Sequence, residues 1–226
     1  MPDPLVRLAH GQKAIAECLT GNLTLPKFDF HCPVNSLPLV FETTVETIPA
    51  SVPYIQADPE LVTVWKARLP SAGRRIGLVW AGEPRGYDPA AQALDKRRSL
   101  PATAFAPLIA VQGLSFVSLQ MGAARTELPA GIHDPMGSVK DFADTAAIIA
   151  NLDAVVSVDT AVAHLAGAMG KPVFLLDRYD NCWRWLSGRT DTPWYPTLGI
   201  FRQPRMGDWG PAIAAAADAL KAFADA

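Results

Sequence analysis

Beyond Arg75 the chain repeats one pattern: a short, mainly apolar run, a polar break, then apolar positions at helical spacing. The runs are Ile76 to Trp80, Leu114 to Leu119, Val155 to Val158 and Val173 to Leu176. Runs this short, rich in β-branched residues, predict strands covered on both faces. Leu198 to Phe201 predicts an edge strand, and Gly131 to Asp134 a short one. Helical spacing predicts helices over Thr103 to Val111, Asp141 to Asn151 and Ala161 to Met169. In the second of these, Phe142, Thr145, Ile148 and Ile149 face the core. The alanine-rich stretch from Trp209 to Ala224 predicts a terminal helix. Ala81 to Arg98, with its glycines and charges, reads as a long loop. Strands alternating with helices predict an α/β fold, a Rossmann-like parallel sheet flanked by helices.

The first part of the chain lacks that rhythm. Leu5 to about Leu19 predicts a helix with Leu5, Leu8, Ile15 and Leu19 as apolar positions, ended by Gly21-Asn22. Phe28 to Cys32 reads as a strand, with His31 a structural residue beside it. Pro33, Pro38, Pro49 and Pro53 then leave room only for short helical turns, Thr43 to Ile48 among them. Asp58 as N-cap and Pro59 at the first helical position predict a helix reaching Leu69. Its apolar face is Leu61, Val64, Trp65 and Leu69. The polar break from Pro70 to Arg75 marks the expected boundary. Residues 1–70 form an incomplete N-terminal segment, and residues 71–226 the Rossmann-like domain.

The stretch from Val155 to Val173 is a strand–helix–strand unit, which implies parallel pairing and a right-handed crossover. Asp159 and Thr160 offer N-cap oxygens, while Gly170 and Pro172 end the helix. In open parallel sheets ligands sit at the carboxyl ends of strands, and helix N-termini attract anions. Asp159, Thr160 and His164 lie at that place. Thr160 and His164, four apart, share one helix face. Spacing alone allows a ligand site, or merely a capping threonine and a packed histidine.

Composition narrows the classes. With 226 residues, 50% of them hydrophobic, the chain can bury a sizeable core. A net charge of −2 excludes a broad cationic footprint for nucleic acid or an anionic membrane. The three cysteines, Cys18, Cys32 and Cys182, form no CxxC pair and read as reduced thiols of a cytoplasmic protein. Cys32 is expected in the core and Cys182 in a partly exposed loop. No apolar run reaches the length of a transmembrane segment. Metal-ligand spacing, GxGxxG and P-loop sequences are all missing.

Asp159-Thr160-Ala161-Val162-Ala163-His164-Leu165-Ala166-Gly167-Ala168-Met169-Gly170-Lys171-Pro172-Val173 resembles the nucleotide-sugar-binding helix of glycosyltransferase family nine, the heptosyltransferase-like enzymes. It looks closest to the glycosyltransferase domain that follows tetratricopeptide repeats in many bacterial proteins. Asp29-Phe30-His31-Cys32-Pro33, Ser36-Leu37-Pro38-Leu39, Ile48-Pro49 and Val52-Pro53-Tyr54 fit the same resemblance. So do Gly77 through Gly82, Arg98-Ser99-Leu100-Pro101, Ser118-Leu119-Gln120, Trp194-Tyr195-Pro196, Phe201-Arg202-Gln203-Pro204 and Gly207-Asp208-Trp209. The resemblance implies the donor-binding half of a GT-B glycosyltransferase from about residue 70 onward. The segment before it would be the remnant of the acceptor-side domain and a linker. The Gly-rich turn and acidic base that usually open the first domain are not found. Asp29, in a strand-like segment, is the nearest acidic candidate. A fragment, a natural short form and a degenerate first domain all remain open.

Candidate donor contacts follow. Backbone N–H groups at Thr160 and Ala161 would hold a diphosphate at the helix dipole. His164 would donate to a phosphate or a sugar hydroxyl. Asp159 would accept sugar hydroxyls or order the turn. Ala161 stands where heptosyltransferases commonly carry Gly, which tightens the space beside the sugar. Trp80-Ala81-Gly82 ends a strand, and Gly82 would admit phosphates close to the backbone. Lys96-Arg97-Arg98 is either a solvated charge run or, by resemblance, the source of a cation on the diphosphate, with Arg98 the best match. Gln120 is a candidate for the base or ribose. Asp141 is an N-cap, and Lys140, Asp141 and Phe142 by resemblance border the nucleoside. Trp183, Trp185, Trp194, Tyr195 and Trp209 read as core and interdomain packing.

The leading function is therefore metal-independent glycosyl transfer from a nucleotide-diphosphate sugar to an unknown glycan, lipid or protein acceptor. It needs no cofactor beyond the donor itself. Tetratricopeptide repeats are an implied partner. A non-catalytic sugar-nucleotide-binding or scaffold module is the alternative. A dinucleotide-dependent oxidoreductase is disfavoured by the missing glycine fingerprint.

Overall fold

A computed structural model describes residues 1–21, 25–84 and 87–226. Its centre is a sheet of β1 (Arg74–Val79), β2 (Leu114–Ser118), β3 (Ala154–Val158), β4 (Val173–Asp177) and β5 (Leu198–Arg202). The strand order is β2-β1-β3-β4-β5, and every neighbouring pair is parallel. From β1 the chain adds β2 on one side and β3 on the other. That reversal opens a crevice outside the carboxyl ends of β1 and β3, where ligands of such sheets bind.

Eight α-helical pieces accompany the sheet among the described residues: α1 (Asp3–His10), α2 (Leu37–Val40), α3 (Pro59–Lys66), α4 (Pro89–Arg98), α5 (Ala106–Ile109), α6 (Phe142–Ala150), α7 (Ala161–Ala168) and α8 (Gly210–Asp225). The core has two layers. Leu8, Trp65, Leu69, Ile148, Leu165 and Trp185 fill one face of the sheet. Phe105, Leu108, Ile213 and Leu220 fill the other. Helices α1 and α3 both pack on α6, so residues on either side of Pro70 share one layer.

Local chemistry explains most boundaries. Asp58 accepts from Glu60 N and Leu61 N ahead of α3, as its Asp-Pro start requires. Asp141 does the same for α6 through Ala143 N and Asp144 N. Residues Ala143 to Ile149 are all buried, since alanines and β-branched side chains let α6 sink against the sheet. Lys171 Nζ donates to Ala150 O and Leu152 O at 2.8 and 2.7 Å, placing a cation at the carboxyl end of α6. Gly170 has φ of +71°, the left-handed conformation that closes α7.

Several expectations are corrected. The first helix ends at His10, because the Gln12 side chain turns back onto Leu8 O and then onto Gln56. Of its expected terminator, Asn22 lies outside the described residues. Phe28 to Cys32 pairs with no strand; Phe30 is 93% exposed and Cys32 is exposed rather than in the core. His31 accordingly has no strand beside it among the described residues, and its ring centre lies 6.2 Å from that of Phe28. Val64 faces solvent, and Val62 joins Leu61 and Trp65 on the buried side of α3. The expected loop from Ala81 to Arg98 holds helix α4, capped by Asp88 with Pro89 following; Arg85 and Gly86 lie outside the described residues. Thr103 to Val111 splits into a tight turn over Ala102–Phe105 and the single α turn of α5. Gly131 to Asp134 contributes one bridge, His133 to Val117, instead of a strand. Among the described residues no helix is long and apolar enough to cross a membrane.

Candidate functional site

The carboxyl ends of β1, β3 and β4 surround the N-terminus of α7, and a cleft with two lobes opens there. One lobe encloses about 920 Å³ between the β1 and β2 ends and α6, with Val139, Phe142 and Val162 as apolar walls. The other encloses about 750 Å³ over the β4 end, with Asp159, His164, Arg178 and Trp183 in its lining. Arg98, Thr160 and Ala161 line both lobes.

Thr160 adopts the N-cap conformation, but its hydroxyl meets Ser157 Oγ at 3.0 Å instead of an α7 amide. No side chain caps α7. Ala163 N and His164 N donate to Thr160 O at 3.1 and 3.4 Å, so of the first turn the Ala161 and Val162 amides are the ones without a cap among the described residues.

Arg98 ends α4 and reaches across the cleft floor. Its Nε and Nη2 donate to Asp95 Oδ1 at 3.0 and 2.9 Å, and its Nη1 donates to Asp159 O at 2.9 Å. The side chain is 19% exposed and these bonds hold it in a fixed pose in the lining of both lobes. Gly82 is what permits this pose. A Cβ there would stand 2.3 Å from both Arg98 Nη2 and Asp95 Oδ1. Gly82 N donates to Ser99 Oγ at 3.0 Å, tying the end of β1 to the end of α4.

Two candidate contacts prove to be scaffold. Gln120 is buried; its Oε1 accepts from Trp80 N and Ala81 N at 3.0 and 2.9 Å. Its Nε2 donates to Ala81 O and Met121 O at 2.9 and 2.8 Å. The side chain staples the β1 and β2 ends together and has no polar atom left for a base or ribose. Trp80 is fully buried, its indole N–H donates to Ala124 O at 3.2 Å, and it is not part of the cleft lining.

Lys140, Asp141 and Phe142 do line the larger lobe. Asp141, however, is engaged twice. It caps α6 and accepts from Arg7 Nε and Nη2 at 2.9 and 2.8 Å. Burial alone would raise the Asp141 pKa, but Arg7 and the two α6 amides hold the carboxyl below its ordinary value. Arg7 also reaches Asp144 at 2.9 Å, so α1 forms part of the lobe wall, with Pro2 and Pro4 in its lining.

His164 is more wall than contact. Its ring stacks on Trp185 at 4.8 Å, its Nδ1 lies 3.1 Å from Tyr195 Oη, and its Nε2 lies 3.7 Å from Asp159 Oδ1. Burial lowers its pKa, so the imidazole is neutral at neutral pH. Tyr195 can come this close because Gly167 faces it; a Cβ there would meet the phenol ring at 2.6 Å.

Behind the smaller lobe, Asp177 is fully buried and accepts from Arg202 Nε at 2.8 Å. Desolvation is the main cause that raises its pKa to about 6, with the Asp159 charge adding to it. A carboxyl whose pKa rises on folding contributes stability that is full below the unfolded value, about 4. That contribution is lost as pH rises through about 6. Folding stability should therefore fall between about pH 4 and 7, by an amount on the order of 2–3 kcal/mol. Asp177→Asn should flatten that slope in urea unfolding; identical slopes would show that Asp177 stays ionised throughout.

Sequence reading did not single out Asp95, Ser99, Arg178 or Arg184. For Asp95 a signal existed: its spacing of three from Arg98 on a helix opened by Asp88-Pro89. Ser99 takes its role from Gly82, 17 residues away, while Arg178 and Arg184 lie against Asp180 and against Cys182 and Trp183 in their own loop.

Residues 138–185, which hold α6, β3, α7 and β4, match the model of glycosyltransferase family 9 (heptosyltransferase). Protein FlbA of Caulobacter vibrioides is 32% identical over 209 residues, which cover 88% of this chain and 34% of that protein. E. coli ADP-heptose LPS heptosyltransferase II superposes with a TM-score of 0.52 at 16% identity, over 80% of this chain and 57% of that one. E. coli heptosyltransferase WaaC, solved with ADP, gives a TM-score of 0.47 at 18% identity, over 80% of this chain and 53% of that one. The chain is thus heptosyltransferase-like in sequence over the central unit and in fold across its parallel sheet. It spans about a third of the length of the curated relative and little over half of the solved heptosyltransferase.

Proposed function

We propose that this chain is the donor-binding half of a glycosyltransferase, and that it holds the diphosphate of a nucleotide-diphosphate sugar between Arg98 and the N-terminus of α7. The observation that carries this reading is that Arg98, Thr160 and Ala161 line both lobes of the cleft. A diphosphate at that junction puts the nucleoside in the larger lobe, against Val139, Phe142 and Val162. The sugar then falls in the smaller lobe, within reach of the Asp159 carboxylate. Asp159 there accepts sugar hydroxyls; its charge keeps it off the phosphates.

The chemistry asked of these groups is leaving-group stabilisation. As the bond from the anomeric carbon to the diphosphate breaks, negative charge grows on the departing oxygen. A pre-placed guanidinium and the uncapped α7 amides offset that charge without reorganising, so this reading needs no metal. The base that takes the acceptor proton is not among these residues. On this reading an acceptor-side domain, with tetratricopeptide repeats in a longer polypeptide, completes the active site. Transfer also needs both reactants held together, which one half of the cleft does not achieve alone.

The test is calorimetric titration with ADP, GDP and UDP, their monophosphates and the bare nucleosides. Diphosphates should bind tighter than monophosphates, and nucleosides weakest; no preference for the diphosphate sinks the reading. The isolated chain should release no sugar from labelled donors given a mixed acceptor pool. Transfer that disappears in Arg98→Ala would show that these residues already hold a complete active site.

A further inference from the structure

On the reading that the diphosphate sits at Arg98, Thr160 and Ala161, the rest of the smaller lobe is left for the sugar. We infer that this lobe selects a sugar bearing a carboxylate, with Arg184 as the residue that recognises it.

The observation behind this is an unbalanced cation. Each other arginine of the lobe has an acidic partner. Arg98 pairs with Asp95 at 2.9 Å, and Arg178 with Asp180 at 2.6 Å. Asp180 is also shared with Arg97, at 3.2 Å. The buried Asp177 is taken by Arg202 at 2.8 Å. Arg184 pairs with no carboxylate among the described residues; its Nη1 reaches only Cys182 Sγ, at 3.3 Å. It is half-buried and lines the lobe, so its charge is neither spent on the protein nor fully screened by water. Its charge also reaches the lobe wall. Burial lowers the His164 pKa, Asp159 opposes that, and Arg184 lowers it further.

The surroundings suit a sugar ring. The Arg184 guanidinium lies 4.6 Å from the centre of the Trp183 ring, and Trp183 is 62% exposed. Arg184 covers one side of the indole, and the exposed remainder of the ring offers apolar contact to the C–H side of a pyranose. Beside it, a planar guanidinium presents two N–H groups in the spacing that a carboxylate accepts. Asp159, beside His164 in the same lining, would accept hydroxyls. A neutral sugar would use Trp183 and Asp159 and leave Arg184 with the Trp183 ring and Cys182 Sγ but no anion.

Sugar 1-phosphates test this without a choice of base. Titrations would compare α-D-glucuronate 1-phosphate with α-D-glucose 1-phosphate, on the parent and on Arg184→Gln and Arg184→Lys. In the parent the glucuronate should bind about tenfold tighter, or about 1.4 kcal/mol. That preference should vanish in Arg184→Gln and partly persist in Arg184→Lys, which keeps the charge but loses the fork. Equal affinities in the parent, or no detectable binding of the glucuronate, would overturn the inference. So would a preference that survives Arg184→Gln. If Arg184→Gln weakens ADP, GDP or UDP as much as the glucuronate, the guanidinium serves the phosphates and the inference also falls. Nucleoside diphosphates failing to bind at all would instead remove the reading on which it rests.

Discussion

Trp185→Ala should lower folding stability by about 3–5 kcal/mol, the range for truncating a buried large aromatic side chain. Trp185 is fully buried in the layer that also holds Leu165, Tyr195 and Ile200. Its ring is the surface on which His164 stacks at 4.8 Å, and Tyr195 lies 6.3 Å away. Removing it leaves a cavity in that layer and frees two rings, His164 and Tyr195, that line the smaller lobe. Against a total domain stability of about 5–15 kcal/mol, that is a large fraction. Its Nε1 is buried without a hydrogen-bond partner, so Trp185→Phe removes one unsatisfied donor while keeping most of the apolar contact. Urea unfolding of the three proteins decides the point: the Phe variant should lie close to the parent and far above the Ala variant. If Phe costs as much as Ala, the indole makes a polar contact that the burial argument misses.

Arg98→Ala should weaken binding of nucleoside diphosphates by about 1.5–3 kcal/mol, the value of a hydrogen bond to a charged group. Bare nucleosides should bind as before, because the larger lobe that would hold them has its own apolar walls. Loss of equal size for both ligands would place Arg98 away from the phosphates. Stability should drop as well, since Asp95 is 7% exposed and would lose its partner. Gly82→Ala reaches the same guanidinium from the other side. Its new Cβ would occupy the space of Arg98 Nη2 and Asp95 Oδ1, so the pair must move out of the cleft floor. Diphosphate affinity should then fall in step with Arg98→Ala, and the double variant should be little worse than either alone. Additive losses would mean that Gly82 serves the ligand directly, by close backbone approach, and not through Arg98.

How legible the molecule was depends on the range of each interaction. The caps of α3 and α6 were readable because Asp58 and Asp141 bond to amides two and three residues ahead. The parallel strands were readable because a strand buried on both faces must be apolar at nearly every position. Helix α4 escapes the pattern because Leu94 is its one large apolar side chain and Asp95 its one buried residue, so no apolar stripe marks it. The strand expected at Phe28 to Cys32 fails for the opposite reason. Its residues have strand propensity but no neighbouring strand to pair with, and propensity without pairing does not make a sheet.

By itself, then, the sequence determined the Rossmann-like sheet, the helix starts that rest on capping, and the position of the cleft at the strand ends around Asp159 to His164. These follow from periodicity and from bonds spanning a few residues. The tertiary structure alone decided which polar side chains remain available in that cleft. Gln120 is consumed by the backbone of Trp80 and Ala81, and Arg98 is oriented by Asp159 O, 61 residues away. Arg184 is left over because the acids near it pair elsewhere. A buried polar group must find a partner, and which partner it finds depends on where the fold brings distant segments together.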